Sequence, residues 1–590
     1  MQRKNILFTL ILILFLPLQA QVEPKRELRS TWIASVANID WPKYEHRNDP
    51  AAQKADLISM LETYRATNMN AVFLQIRTEC DAFYQSAYEP WSRYLTWAQG
   101  TDPGYDPLQF AIEEAHKRGI ELHAWMNPYR INASTNDGGS YYAAGHVYLE
   151  HPDWALTYAS GRRILDPGKP EVMTYIGAVV RDVVENYDVD GVHFDDYFYA
   201  YEGTPSSLDD DTYALYGNGM SRDDWRRDNV NRMIDTVYKV INEVKPHVRF
   251  GVSPFGIYKD GVPPGIAGFN AYTTIYCDPM AWLQDGTVDY LTPQIYWPTG
   301  GAQDFETLVN WWADSCHHYG RHLFPGMATY KLSDNPGLKS LQNREPGLHE
   351  TKYYFEPGFQ DADGTQLSML EESRRKSTSD PVAQWTLGQI GRQIDIIRSN
   401  HDQLARGNVF FSAKDFYRVD GLRDYLAQNC YTHGAIVPEM TWKPGVTPTA
   451  PSNIRIEVVD NAYRLMWDDT PAPNERYAVY AVQSDMTAQE IIDDPSHLQE
   501  ITFMTSLDLS RLVISRDARI VITKVSPTGK ESAPGTVYQV SSDIPFVDLV
   551  SPANEDTISQ TTLLSWDSEF TDPSYQLQIA QNSSFSNVVL

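Results

Sequence analysis

Between residues 26 and about 445 the chain alternates short apolar runs with amphipathic helical stretches, eight times over. "LRSTWIASV" precedes the helical "DLISMLETYRATNM", and "NAVFLQIR" leads through a loop to "PLQFAIEEAHKRG" and then "IELHAWMNPY". "PEVMTYIGAVVRDVVENY" feeds "VDGVHFDDY", and "RDNVNRMIDTVYKVINEVKP" feeds "VRFGVSPFG". "WLQDGTVDYLTPQIYW", "HLFPGMATYK" and "GNVFFSAKDF" complete the set, separated by "FETLVNWWADSCHHY" and "PVAQWTLGQIGRQIDIIRS". The strands are apolar along their length rather than alternating, the pattern of strands covered on both faces in a parallel sheet. Eight such units predict an α/β fold, a (β/α)8 TIM-type barrel over 26–445, with a doubly wound open sheet as the alternative. The surplus length falls in loops at 76–105, 128–170, 197–225 and 331–380, and loops after strands are where a barrel assembles its site.

At "WKPGVTPTAPSNIRIEVVD" the composition shifts to a Pro/Thr/Gly linker and then to alternating strands. Residues 452–545 read as an all-β sandwich similar to a fibronectin type III module, with Trp467 in its core and the role of a spacer or weak interaction module. Residues 546–590 open a further sandwich module that is incomplete. At the other end, Arg3 and Lys4 precede "ILFTLILILFLPL" and a small-residue stretch ending at Ala20, which predicts a secretory signal peptide over 1–20. Its apolar part is too short to span a bilayer, and no later run is long enough. The expectation is a periplasmic, secreted or cell-surface chain with no membrane span once the signal is cleaved. Four scattered cysteines (Cys80, Cys277, Cys316, Cys430) build neither a disulfide scaffold nor a zinc site, and their pairing stays open. A net charge of −28 argues against nucleic acid and anionic membranes as partners.

The candidate chemistry gathers at the strand ends. "VDGVHFDDY" finishes an apolar strand with Asp195 and Asp196, and adjacent strand residues point to opposite faces unless the chain has begun to turn. Two carboxyls with separated pKa values are what acid/base work on a glycosidic bond requires. Asp195 and Asp196 are therefore the catalytic candidates, with Glu79, Asp81, Asp278 or Glu439 as alternative partners. Gln75, Arg77 and Glu79 follow the second strand. His123, Trp125 and Asn127 follow the third, and His193 lies in the fourth with Tyr197 just after it. Gln294, Tyr296 and Trp297 follow the sixth and Tyr330 the seventh, giving a polar and aromatic rim suited to a sugar. The 15 tryptophans and 36 tyrosines of the chain supply aromatics for such stacking. No Gly-rich phosphate motif and no G-x-S-x-G occurs, His123 and His193 with Asp195 make a weak metal set, and "SLDDDTY" at 207–213 reads as a solvated loop before a calcium site. No cofactor and no metal is expected.

The stretches "RSTWIASVANIDWP", "NAVFLQIRTECDAFY", "HAWMNPYR", "DGVHFDDYFY", "GVSPFG" and "DYLTPQIYW" resemble the glycosyl-hydrolase-like family 10 of bacterial envelope proteins. The resemblance covers roughly 26–445. It implies a barrel glycosidase acting on an oligosaccharide or polysaccharide of the cell wall or a related glycan, with N-acetylated, peptide-free peptidoglycan as the leading candidate. An acetamido group would also permit substrate-assisted catalysis, in which one Asp orients and the other protonates. The competing expectation is a glycan-binding envelope protein that has lost catalysis.

Overall fold

A computed structural model describes residues 23–133, 141–332, 385–460, 462–514, 517–541, 547–551 and 565–568. The signal segment, most of the 331–380 loop and most of 546–590 lie outside the described residues.

The barrel strands are β1 (Leu28–Ile33), β2 (Ala71–Arg77), β3 (Glu121–Met126), β4 (Gly191–Asp195), β5 (Arg249–Ser253), β6 (Tyr290–Leu291), β7 and β8 (Gly407–Phe410). β7 consists of two segments, His322–Leu323 and Gly326–Met327, interrupted at Pro325. All neighbouring strands are parallel. The first β7 segment pairs with β6 and the second with β8, so the interrupted strand joins the two ends of the row and closes the sheet. Bonds from Leu323 N–H to Leu404 O (2.9 Å) and from Phe411 N–H to Met327 O (2.8 Å) complete the seam. The eightfold repeat in the sequence thus gives a TIM-type barrel. Helices α1 (Pro50–Ala66), α2 (Pro107–His116), α3 (Pro170–Asn186), α4 (Arg222–Val244), α5 (Pro279–Asp285), α6 (Phe305–His318) and α7 (Leu387–Ser399) follow in chain order. Three of them start on Asp-Pro. The Asp caps the first free N–H groups and the Pro occupies the first turn, where no donor is needed.

Ring side chains fill the barrel interior, and two glycines make room for them. A Cβ at Gly191 would lie 2.5 Å from the His123 ring and one at Gly251 2.2 Å from that of Tyr290. This explains the glycines of "DGVHF" and "RFGVS", where a buried strand would otherwise carry a larger residue.

Beyond the barrel, β9 (Ser452–Val459), β10 (Ala462–Asp468) and β13 (Ser506–Asp508) form one antiparallel sheet. β12 (Leu498–Thr502), β11 (Arg476–Val482), β14 (Arg519–Val525) and β15 (Tyr538–Gln539) form the other. Trp467, Tyr477, Val479 and Ile522 pack between them. A last antiparallel pair joins Val547–Ser551 to Ser565–Ser568. The second face of the four-stranded sheet packs on Ile436 at the base of the barrel.

A linker-tethered spacer does not describe this junction. Arg476 of β11 pairs with buried Glu121 at the start of β3. Asn474 donates to Asp190 Oδ1 (2.9 Å), and Phe503 stacks on His116 at 4.1 Å. Gly119, at φ 71°, sits so close to the sandwich that a Cβ would lie 2.0 Å from Ile501 O. The sandwich caps the barrel at the strand N-termini, opposite the loops that carry the candidate chemistry.

Candidate active site

Direct partners in a parallel sheet share a face, so the register identifies what points inward. Trp32, Phe73, His123, Gly191 and Arg249 form one level; Gln75, Trp125, His193, Gly251 and Tyr290 form the next. Asp195 and Ser253 stand one level higher, at the strand C-termini.

Asp195 is 7% exposed. Its Oδ2 accepts from Asn127 Nδ2 (3.4 Å), and its Oδ1 accepts from Gln294 Nε2 (3.4 Å) and the Asp196 N–H (2.9 Å). The carboxamide donors are themselves oriented. Gln75 Oε1 accepts the Ser35 and Val36 N–H groups at 3.0 and 2.9 Å, which leaves its Nε2 to donate to Asn127 Oδ1 at 2.6 Å. Arg130 donates to the same oxygen at 3.0 Å, so the Asn127 amide can present only its N–H to Asp195. Gln294 is held by the Ser253 carbonyl at 3.1 Å. Asp196 is fully buried, and Tyr201 Oη donates to its Oδ2 at 2.5 Å. It lies beside Cys277, whose thiol is raised well above its usual range by burial first and then by the charge of Asp196.

Aromatics wall one side of this level. Tyr296 and Trp297 are half-buried. Tyr296 stacks on Phe411 with centroids 5.9 Å apart and meets Tyr330 edge-on at 5.9 Å. Burial, then the charges of Tyr330, Asp195 and Asp196, push the Tyr296 phenol well above its usual range, which places it near both carboxylates. Trp297 meets Phe255 edge-on, and Tyr197 lies under the Arg130 guanidinium at 5.1 Å. Trp125 is 5% exposed, and its Nε1–H carries no hydrogen bond; nor does the buried Thr292 Oγ1.

The structure therefore brings Asp195, Asp196, Gln75, Asn127, Gln294 and Tyr296 together and sets other candidates apart. Arg77 is spent on buried Glu89 (Nε–Oε2 2.8 Å) and the Asn127 carbonyl, fixing the loop after β2. Glu79 accepts from Arg93 (3.0 Å), the Ala133 N–H (2.5 Å) and Tyr141 (3.1 Å). Asp81 caps its own turn through Thr78 and Glu79, and Asp278 caps α5. Glu439 packs against Gly529 at the base, the wrong end of the barrel for a catalytic partner. Asp209 of the acidic loop is paired with Arg222 and Arg226.

His123 and His193 belong to a buried column rather than to a rim. Burial holds His193 well below its usual range, so its ring is neutral. Trp32 Nε1–H donates to His193 Nε2 at 3.2 Å, which assigns the ring proton to Nδ1, 3.3 Å from Tyr290 Oη. Tyr290 then donates to His123 Nδ1 (3.0 Å), and His123 Nε2–H reaches Glu121 at 3.2 Å. Every ring nitrogen is used within the barrel. All four cysteines are buried and free.

Tyr201 and Phe411 join the site without a sequence signal that marks them. Tyr201 sits in the "DDYFYAY" run, where the count of tyrosines was visible but not which would turn back on Asp196.

The glycosyl hydrolase-like 10 family model matches residues 27–340. The chain is 36% identical over 486 residues to the glycosyl hydrolase YngK of Bacillus subtilis, covering 80% of this chain and 86% of that one. It is 38% identical over 350 residues to the glycosyl hydrolase DigH of Escherichia coli K12, covering 56% of this chain and 79% of that one.

Proposed function

The chain belongs to the glycosyl hydrolase-like 10 family, and on that premise we propose that it cleaves glycosidic bonds in a bacterial cell-wall glycan, with Asp195 and Asp196 carrying the chemistry. It is a glycoside hydrolase, and carbohydrate is its substrate.

The observation that carries the assignment is Asp195: an inward carboxylate at the C-terminal end of β4, bracketed by oriented carboxamides from the segments after β3 and after β6. In the proposed mechanism one Asp protonates the leaving oxygen, and the other acts as nucleophile, base or orienter. A substrate carrying an acetamido group supplies a further route. Its carbonyl oxygen attacks the anomeric carbon, one Asp holds the acetamide and the other delivers the proton, so no second carboxyl is needed across the ring. Tyr296, Tyr330 and Trp297 provide aromatic surface for the sugar beside the carboxylates. The signal-like N-terminus supports action outside the cytoplasm, in the periplasm or at the cell surface.

The test is incubation with peptide-free peptidoglycan strands and mass spectrometry of the soluble products. Short disaccharide-based fragments are expected. Binding of the strands without release of fragments at any pH from 4 to 8 would instead identify a non-catalytic glycan-binding protein. Strong inhibition by an N-acetylglucosamine thiazoline is expected for the substrate-assisted route, and undiminished turnover of a glycan without acetamido groups would exclude it.

A further inference from the structure

The loops after β1 and β2 present a cluster of exposed aromatics around one arginine, on the same end of the barrel as Asp195. Tyr44 and Trp97 are 58% and 56% exposed, with ring centroids 5.2 Å apart at 83°. Most large aromatics of a soluble chain are largely buried, so two at one spot mark a surface built for contact. Arg47 lies among them, its guanidinium 4.5 Å from the Tyr44 ring, 5.0 Å from Trp97 and 5.6 Å from buried Tyr94.

The arrangement is held from below. Asn38 Oδ1 accepts Arg47 Nε–H at 2.7 Å, while Asn38 Nδ2 donates to the Pro42 and Tyr94 carbonyls at 2.8 and 2.9 Å. The Asn48 N–H donates to Leu95 O at 2.9 Å, so the two loops are tied together under the cluster. Arg47 Nε is thereby satisfied, yet its terminal nitrogens make no hydrogen bond or ion pair among the described residues. With 77 acidic against 49 basic residues in the chain, carboxylates are abundant, and most arginines among the described residues pair with one. Burial, and then the charge of Arg93, push Arg47 below the usual arginine range, a cost that a bound anion would offset.

We propose that Trp97, Tyr44 and Arg47 form a remote subsite for a carboxylate-bearing pyranose of a glycan that extends from Asp195. The sugar's C–H face packs on an exposed ring, and the two terminal nitrogens of Arg47 take the carboxylate as a planar pair. The subsite deepens the glycan-hydrolase reading and rests on it for the identity of the chain that runs between the two places.

The test measures binding and turnover separately on the full-length protein. End-labelled peptide-free peptidoglycan strands carry a carboxylate on alternate sugars; chitin oligosaccharides of equal length share the backbone without it. By fluorescence anisotropy the wild type is expected to favour the former by about tenfold. Arg47→Gln abolishes that preference while leaving chitin binding unchanged, and Trp97→Ala weakens both. Hydrolysis of a short aryl glycoside that fills only the Asp195 level stays at the wild-type rate in both variants. Equal binding of the two glycans by the wild type, or an Arg47→Gln protein that keeps the preference, overturns the proposal; the second result stands even where Trp97→Ala fails to fold. A wild type that discriminates between the glycans but cleaves neither refutes the hydrolase reading and leaves the subsite intact.

Discussion

At the base of the barrel Glu121 meets two guanidinium groups, Arg476 from the sandwich and Arg249 from β5 at 3.6 Å. Nearby Asp289 meets Lys443 at 3.0 Å and the indole Nε1–H of Trp442 at 2.8 Å. At the opposite end Asp195 and Asp196 receive carboxamide, phenol and backbone donors from Asn127, Gln294, Tyr201 and the Asp196 N–H. Although burial works against ionisation, Arg476 and Arg249 hold the Glu121 carboxyl well below its usual range. A guanidinium fixes a neighbouring charge; a neutral donor orients a carboxylate without fixing its charge to the same degree. The base pairs its carboxylates with cations, and the top holds its carboxylates with neutral donors.

Ending the chain near residue 450 attacks the base and should have the largest effect on stability. It removes Arg476 and the Phe503 and Ile501 surface, leaving Glu121 and Arg249 partly uncovered. A loss of roughly 3–5 kcal/mol is expected from the broken buried pair alone, read as a lower melting temperature by calorimetry. A truncated barrel that melts with the full chain would show the sandwich to be a mere neighbour.

Asp40 tests the top through pH. It ties the end of β1 to the end of β8, accepting from the Ala34 N–H (2.8 Å), Ser412 Oγ (2.9 Å) and the Lys414 N–H (3.0 Å). Burial pushes it up to about 6, against the opposing charge of Lys414. A carboxyl raised on folding favours the native state at low pH, and that contribution is lost as pH rises from its unfolded value through about 6. Asp40→Asn is expected to remove this slope, worth roughly 3 kcal/mol across the window. Parallel urea titrations of wild type and variant between pH 3.5 and 7 check it; identical slopes would count against it.

Tyr201→Phe should have the smallest effect. One donor to Asp196 is lost with little change of shape, so kcat/KM is expected to fall about tenfold at constant melting temperature. An unchanged kcat/KM would place Asp196 outside the chemistry.

The barrel was legible because burial on both faces and the helix periodicity are local signals, and the strand-end position of Asp195 followed from them. The Arg77–Glu89 pair was not, since nothing in "LQIRTECDAFY" says that its arginine turns back on a glutamate 12 residues away. His123 and His193 looked like rim ligands because a sequence gives the face of a strand residue but not its height in the barrel. The docking of the sandwich was least visible: Glu121 and Arg476 are 355 residues apart, and the Pro/Thr stretch between their units has the composition of a free linker.

The account rests on a division of labour between the two ends, and one crossed measurement tests it. Asp195→Asn and Arg476→Met are compared with the wild type for release of fragments from peptide-free glycan strands and for thermal unfolding. The account predicts that Asp195→Asn cuts turnover by roughly 10³-fold with the melting temperature unchanged, while Arg476→Met lowers the melting temperature and turns over normally well below it. An Asp195→Asn protein that retains full turnover, or an Arg476→Met protein that folds as stably as the wild type but has lost it, would contradict the account.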